Sequence, residues 1–114
     1  MIKRITHNAE GFKVMTAFEG WKVGVLRYNL RFSRLKEMER HLLTDEVFIL
    51  TAGEATLYTE GETAKMERGD VYVVPAGVWH HIVVSEDASV VVVENSNTSI
   101  ENTEKKYFDE KENP

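Results

Sequence analysis

Ser33–Glu46 reads SRLKEMERHLLTDE, and the fold class turns on whether this stretch is a helix or a strand followed by a turn. Its residues are mostly good helix formers, and Leu35, Met38, Leu42 and Glu46 recur at helical spacing. By local pattern alone the stretch is a helix. Taken instead as a strand over Met38–Leu42, it places Glu39 and His41 on one face, because side chains alternate with period two. The residues of this stretch leave both readings open.

The sequence on either side is dominated by β signals. Runs rich in Val, Ile, Tyr and Phe predict strands near Lys13–Phe18, Trp21–Phe32, Val47–Thr51, Glu54–Thr59, Thr63–Glu67, Asp70–Val74, His80–Ser85 and Ser89–Glu94. Turns are expected at Glu19-Gly20, Ala52-Gly53, Glu60-Gly61, Arg68-Gly69, Pro75-Ala76-Gly77 and Glu86-Asp87. Many short strands at such intervals point to a sandwich or barrel, and the absence of βαβ alternation argues against a parallel α/β fold. A single domain over 1–114 is expected, with a core from about 12 to 96 and a polar tail over 97–114. The segment after Glu94 is read as a loop whose far end is frayed or a short surface helix.

Composition narrows the chemistry. The chain has no cysteine, which excludes disulfides and thiolate metal sites. Nineteen acidic residues against fourteen basic ones give a formal charge of -5, unlike a nucleic-acid binder with its basic face. Part of that excess lies between Glu101 and Glu112. The start, MIKRITHNAEGFKVM, lacks the apolar run of a signal peptide, and no stretch approaches the ~20 apolar residues of a membrane span. A cytoplasmic protein without membrane association is therefore expected.

Two segments carry polar residues where an apolar core should be. Glu39–Gly53, ERHLLTDEVFILTAG, holds His41, Glu46 and Gly53. Gly69–His81, GDVYVVPAGVWHH, holds Gly69, Pro75, Gly77 and His80. The step from His41 to Glu46 is odd, so a turn at Thr44-Asp45 is needed if both are to face one side. These segments resemble the two motifs of the cupin superfamily, roughly G-x5-H-x-H-x3-4-E-x6-G and G-x5-P-x-G-x2-H-x3-N. The second motif is intact from Gly69 through His80, and the first from His41 through Gly53. Glu39 stands where the family's first histidine would be, Ser33 where its first glycine would be, and Val84 where its closing asparagine would be.

The resemblance implies an all-β, cupin-type double-stranded β-helix (a jelly-roll barrel), and so the strand reading of Met38–Leu42. It implies a divalent metal ion (Zn, Fe, Mn or Ni) held by His41, Glu46 and His80, with Glu39 as a fourth ligand or a catalytic general base. Imidazole and carboxylate together suit such ions. Cupins with such sites include sugar isomerases, dioxygenases and lyases, so the implied function is action on a small polar molecule such as a sugar or keto acid. The alternative is a module that binds such a molecule without turnover, and a metal-free structural barrel is a third reading.

Each of these residues also has a plainer reading. Glu39 fits a solvated charge in KEMER, and the two histidines fit unrelated surface and core positions. Asp45 replaces Glu46 as ligand if the turn shifts by one residue. His81 should face away from His80, towards the surface or an interface, and Trp79 packs either at the barrel mouth or, as the preferred reading, plainly in the core. Arg27, Tyr28, Arg31 and Tyr58 lie within possible reach of the pocket. Glu46, Phe48 and Leu50 should share the inner face, as should His80, Ile82 and Val84. Val47, Ile49, His81 and Val83 on the opposite face are largely apolar, so a second layer is needed, from the barrel's own other strands or from a partner subunit, and a homodimer is expected.

Overall fold

The computed structural model describes residues 1–108. Among these residues, ten strands form two antiparallel sheets of five. They are β1 (Phe12–Phe18), β2 (Trp21–Arg27), β3 (Glu37–His41), β4 (Glu46–Ala52), β5 (Ala55–Thr59), β6 (Thr63–Lys65), β7 (Val71–Val74), β8 (His80–Val84), β9 (Ser89–Glu94) and β10 (Thr103–Tyr107). One sheet runs β1-β2-β9-β4-β7 and the other β10-β3-β8-β5-β6. The expected all-β jelly-roll barrel is the fold observed.

Alternation explains most of it. In β9, SVVVVE, Val90 and Val92 are fully buried while Val91 and Val93 are only partly covered. In β4, Glu46, Phe48 and Leu50 are buried and their neighbours are more exposed. Ile82 and Val84 of β8 meet them from the facing sheet in one hydrophobic cluster with Leu26 and Leu57. Each such side chain taken out of water contributes about 1.5–3 kcal/mol.

Helix-forming residues do not make Ser33–Glu46 a helix. Glu37–His41 is strand β3, paired along its whole length with β10 and through Glu39↔His80 with β8. Propensity is a weak prior and sheet pairing overrides it. The expected strand Trp21–Phe32 stops at Arg27, and Leu30–Phe32 makes a 3-10 turn capped by the Asn29 side chain. That turn lays Phe32 into the core.

Strand β10 falls in the stretch expected to be a polar tail. Thr103–Tyr107 is polar on both faces, so alternation could not reveal it. It is held instead by its ladder to β3 and by ion pairs such as Arg40 Nε to Glu104 Oε1 at 2.7 Å. The frayed or helical end expected beyond it lies in 109–114, outside the described residues. No helix among the described residues is long and apolar enough to cross a membrane.

Candidate metal centre

The barrel interior ends in a cavity of about 110 Å³. Apolar walls come from Phe12, Leu26, Phe32 and Phe48, the polar floor from His41, Glu46, His80 and Glu94, and the polar rim from Glu39 and Arg31. The four site residues expected from the sequence, Glu39, His41, Glu46 and His80, are thus gathered in one place. They arrive from three strands. Glu39 and His41 share a face of β3, Glu46 opens β4 and His80 opens β8.

Two backbone contacts hold the strand ends together. The Gly77 N–H donates to the His41 carbonyl at 2.8 Å, and the Ala76 N–H donates to the Asp45 carboxylate at 2.9 Å. Asp45 is therefore exposed and engaged in the turn rather than pointing at the centre. Gly77 sits at φ +81°, a conformation glycine adopts without steric cost, and this lets the Pro75–Gly77 turn deliver His80 inward.

The histidine tautomers follow from their outer partners. His80 Nδ1 lies 3.0 Å from the Val78 carbonyl oxygen, which can only accept, so Nδ1 carries a proton. In a neutral ring Nε2 is then bare, yet it lies 2.8 Å from Glu46 Oε1. Two acceptors at that distance need a proton or a cation between them. His41 Nδ1 meets Thr103 Oγ1 of β10 at 3.0 Å, which turns its Nε2 inward. His41 Nε2 is 3.2 Å from Glu46 Oε1 but has no hydrogen-bond alignment, and it is buried without a partner.

Charges crowd this floor. Burial alone would lift the Glu46 carboxyl, but its contacts with His41 and His80 bring it down to about 2. Burial lowers His41, while the adjacent Glu46 and the charges of Glu39 and Glu94 outweigh it and leave the imidazole raised. Glu94 is pushed up to about 7 by burial and then by the negative Glu46 beside it. Arg31 bridges Glu37 at 3.3 Å and Glu39 at 3.0 Å on the rim.

Glu94 was not among the residues singled out from the sequence. It stands opposite Glu46 in the β4–β9 ladder and its side chain is 6% exposed. The available signal was parity, since Glu94 continues the inward series Val90, Val92. Of the other residues considered, Arg31 lines the cavity, whereas Arg27, Tyr28 and Tyr58 do not. Trp79 lies outside the cavity and packs between cations, with Arg40 at 4.6 Å and Lys106 at 4.5 Å from its ring. His81 is not at the surface. Its Nε2 is 3.1 Å from the Arg31 carbonyl and its ring stacks on Phe32 at 6.0 Å, because the Leu30–Phe32 turn covers that face of β8. Burial lowers its pKa.

Residues 35–94 match the family model described as the Cupin domain. The chain belongs to the cupin family. A curated relative of this cupin, an uncharacterized protein of Streptomyces coelicolor, is 46% identical over 52 residues, which is 43% of this chain and 48% of the relative. The match thus spans about half the length of that relative. Among solved structures, a cupin-2 domain protein of Shewanella frigidimarina aligns over 78% of this chain and 84% of its own, with TM-score 0.66 and 21% identity. Streptomyces Pac13 with uridine, a protein described as a nucleoside dehydratase, aligns over 100% of this chain and 98% of its own, with TM-score 0.73 and 13% identity. KdgF from a Halomonas species aligns over 82% and 87%, with TM-score 0.62 and 18% identity. At these identities the likeness is one of fold.

The carboxylate pair in this cupin is expected to make the stability of the metal-free protein depend on pH. A carboxyl raised to about 7 in the fold and ordinary when unfolded contributes stability below about pH 4.5, which is lost as pH rises through 7. Glu94→Gln removes that loss. In EDTA, the variant is expected to exceed the wild type at pH 8 by about 1–2 kcal/mol, with the difference vanishing near pH 4; solvent at the open cavity screens the rest. Urea unfolding at the two pH values measures it, and a difference independent of pH would contradict the carboxylate coupling.

Proposed function

We propose that this cupin binds a divalent metal ion through His41, Glu46 and His80, and acts there on a small polar molecule such as a sugar or keto acid. The observation that carries this reading is the convergence of His80 Nε2, at 2.8 Å, and His41 Nε2, at 3.2 Å and without a hydrogen-bond partner, on the one oxygen Glu46 Oε1. Two imidazoles and a carboxylate are an apt donor set for Zn, Fe, Mn or Ni.

A bound divalent ion would polarise a carbonyl or hydroxyl oxygen or acidify a water. The protein's own groups do the rest. The Val78 carbonyl and Thr103 hydroxyl orient the imidazoles, as outer partners do in metal sites. Phe12, Phe32 and Phe48 limit water around the reacting group. Glu39, held by Arg31, faces the cavity from the rim and is the candidate proton acceptor.

Metal analysis of untagged protein purified without chelator tests the proposal. Near-stoichiometric metal is expected in the wild type, and little in His41→Ala or His80→Ala. A wild type without metal, after reconstitution attempts with Zn, Fe, Mn and Ni, would overturn it. Turnover is then assayed on sugars, keto acids and, given the whole-chain likeness to Pac13, nucleosides such as uridine. Metal and ligand binding without turnover would favour the binding-module reading, to which the replacement of the first family histidine by Glu39 lends support.

We also infer a homodimer formed through the outer face of the first sheet. Register places two uncharged β-branched rows across four strands, Val23–Val93–Val47–Val73 and Val25–Val91–Ile49–Val71. Val71 and Val73 are 61% and 54% exposed. An apolar patch of this kind, bordered by Lys13 of β1, is complementary to its own copy under two-fold symmetry. Sedimentation should give a dimer at micromolar concentration, and Val91→Lys a monomer. A monomeric wild type would rule the dimer out.

A further inference from the structure

We propose that Glu94 is the fourth protein ligand of the metal, in the role that the resemblance assigns to Glu39. The inference rests on the metal reading above and concerns which carboxylate completes it.

Glu39 occupies the family's ligand slot by position, but its carboxylate is already engaged. Its Oε2 accepts from Arg31 Nη2 at 3.0 Å, and its Oε1 is 3.7 Å from His41 Nε2. Its side chain is 19% exposed, so water can satisfy what Arg31 does not. Glu39 also brings a donor atom within 4.8 Å of His41 and His80, so it is the ion pair with Arg31, and not distance, that sets it apart from Glu94.

Glu94 is placed differently. Its side chain is 6% exposed, and its Oε2 is buried with no hydrogen-bond partner. That oxygen is 4.0 Å from the similarly orphaned His41 Nε2. The other oxygen, Oε1, is 3.8 Å from Lys22 Nζ, so the carboxylate has a cation on one side and the Glu46 carboxylate on the other. His41, Glu46 and Glu94 each bring a donor atom within 4.8 Å of the others. Buried polar atoms without a partner are uncommon because each forfeits its hydrogen bonds to water and gains none in the fold. Glu94 Oε2 and His41 Nε2, both unpartnered and 4.0 Å apart beside Glu46, are spaced as two donors to one ion would be.

The ladder makes the placement reproducible. Glu46 and Glu94 are directly opposed on neighbouring strands, so their side chains rise side by side from the same sheet face. Two like charges so placed are repulsive without a cation, and a divalent ion turns the same pair into a clamp. The centre is then two imidazoles from one sheet and two carboxylates from the other. Glu39 stays on the rim beside Arg31, free of the metal and available to a substrate.

Co²⁺ titration of EDTA-treated, untagged protein decides between the two carboxylates, because Co²⁺ absorption reports its coordination shell. Glu94→Gln is expected to weaken Co²⁺ binding by at least about 100-fold and to change the visible spectrum, since even outer-sphere substitutions cost roughly 10–100-fold. Glu39→Gln is expected to cost at most about 10-fold and to leave the spectrum unchanged. Unfolding midpoints in EDTA establish that both variants fold. If Glu94→Gln does not, Glu94→Asp, which withdraws the carboxylate by one methylene, is expected to alter the spectrum instead. An unaltered affinity and spectrum in the Glu94 variants, or equal or larger losses in Glu39→Gln, would overturn the assignment while leaving the metal reading intact. A wild type that takes up no Co²⁺ would overturn both.

Discussion

Saturating divalent metal is expected to raise the thermal unfolding midpoint of the EDTA-treated protein by roughly 10–15 °C. A ligand that binds only the folded chain stabilises it by RT ln(1 + [L]/Kd), about 2.7 kcal/mol at a hundredfold excess over Kd. For a domain of 114 residues, one kcal/mol corresponds to about 4–6 °C. Unfolding scatters His41, Glu46 and His80 over forty positions of chain, so the unfolded state offers no comparable site. The same addition should leave His80→Ala within about 2 °C of its metal-free midpoint. Scanning calorimetry with and without metal measures both, and an equal shift in the variant would place the bound ion somewhere other than this cavity.

Gly53→Ala is expected to destabilise the protein by about 2–4 kcal/mol, and Gly77→Ala by only about 1–2 kcal/mol. Both glycines adopt positive φ, +71° and +81°, so both variants incur the left-handed backbone cost. Their surroundings differ. A Cβ on Gly53 would lie 2.5 Å from Ala88 Cα and 2.7 Å from Ala88 N, whereas one on Gly77 meets nothing within 4 Å. Ala88 is wholly buried and its N–H donates to the Ser85 carbonyl, so the loop cannot retreat freely. Denaturant unfolding of the two variants under identical conditions gives the comparison. Equal losses would mean that backbone conformation alone, and not the close approach of the β8–β9 loop, determines the cost. The glycine that ends the first motif thus serves packing between two turns, while the one in the second motif serves the aim of His80.

Much of this was legible beforehand because the inner strands are two-faced. Val90 and Val92, Phe48 and Leu50, Ile82 and Val84 each mark an inward series that a reader can count. The spacing of Gly69, Pro75, Gly77 and His80 likewise indicated where a histidine would turn inward. Strand β3 resisted because EMERH, with residues of high helix propensity, is half-buried beside a polar partner. Strand β10 resisted for the same reason, since Lys105 and Tyr107 stand opposite Glu39 and Glu37 and neither strand has an apolar stripe. Glu94 was missed because a single carboxylate at the end of a valine run resembles a strand leaving the barrel. Only the neighbouring register, which sequence does not state, sets it against Glu46. His81 was misplaced because alternation predicts a direction and not what lies there, and the Leu30–Phe32 turn had been counted as strand.

The His41 imidazole is steered by a hydroxyl from strand β10, sixty-two positions further along the chain. Proteolytic trimming after Asn102 would remove that hydroxyl together with a ladder of five backbone pairs, while leaving every inward-facing donor in the chain. Such a clipped form is expected to assemble its barrel yet hold the proposed ion loosely, which would make strand β10 a remote latch on the centre.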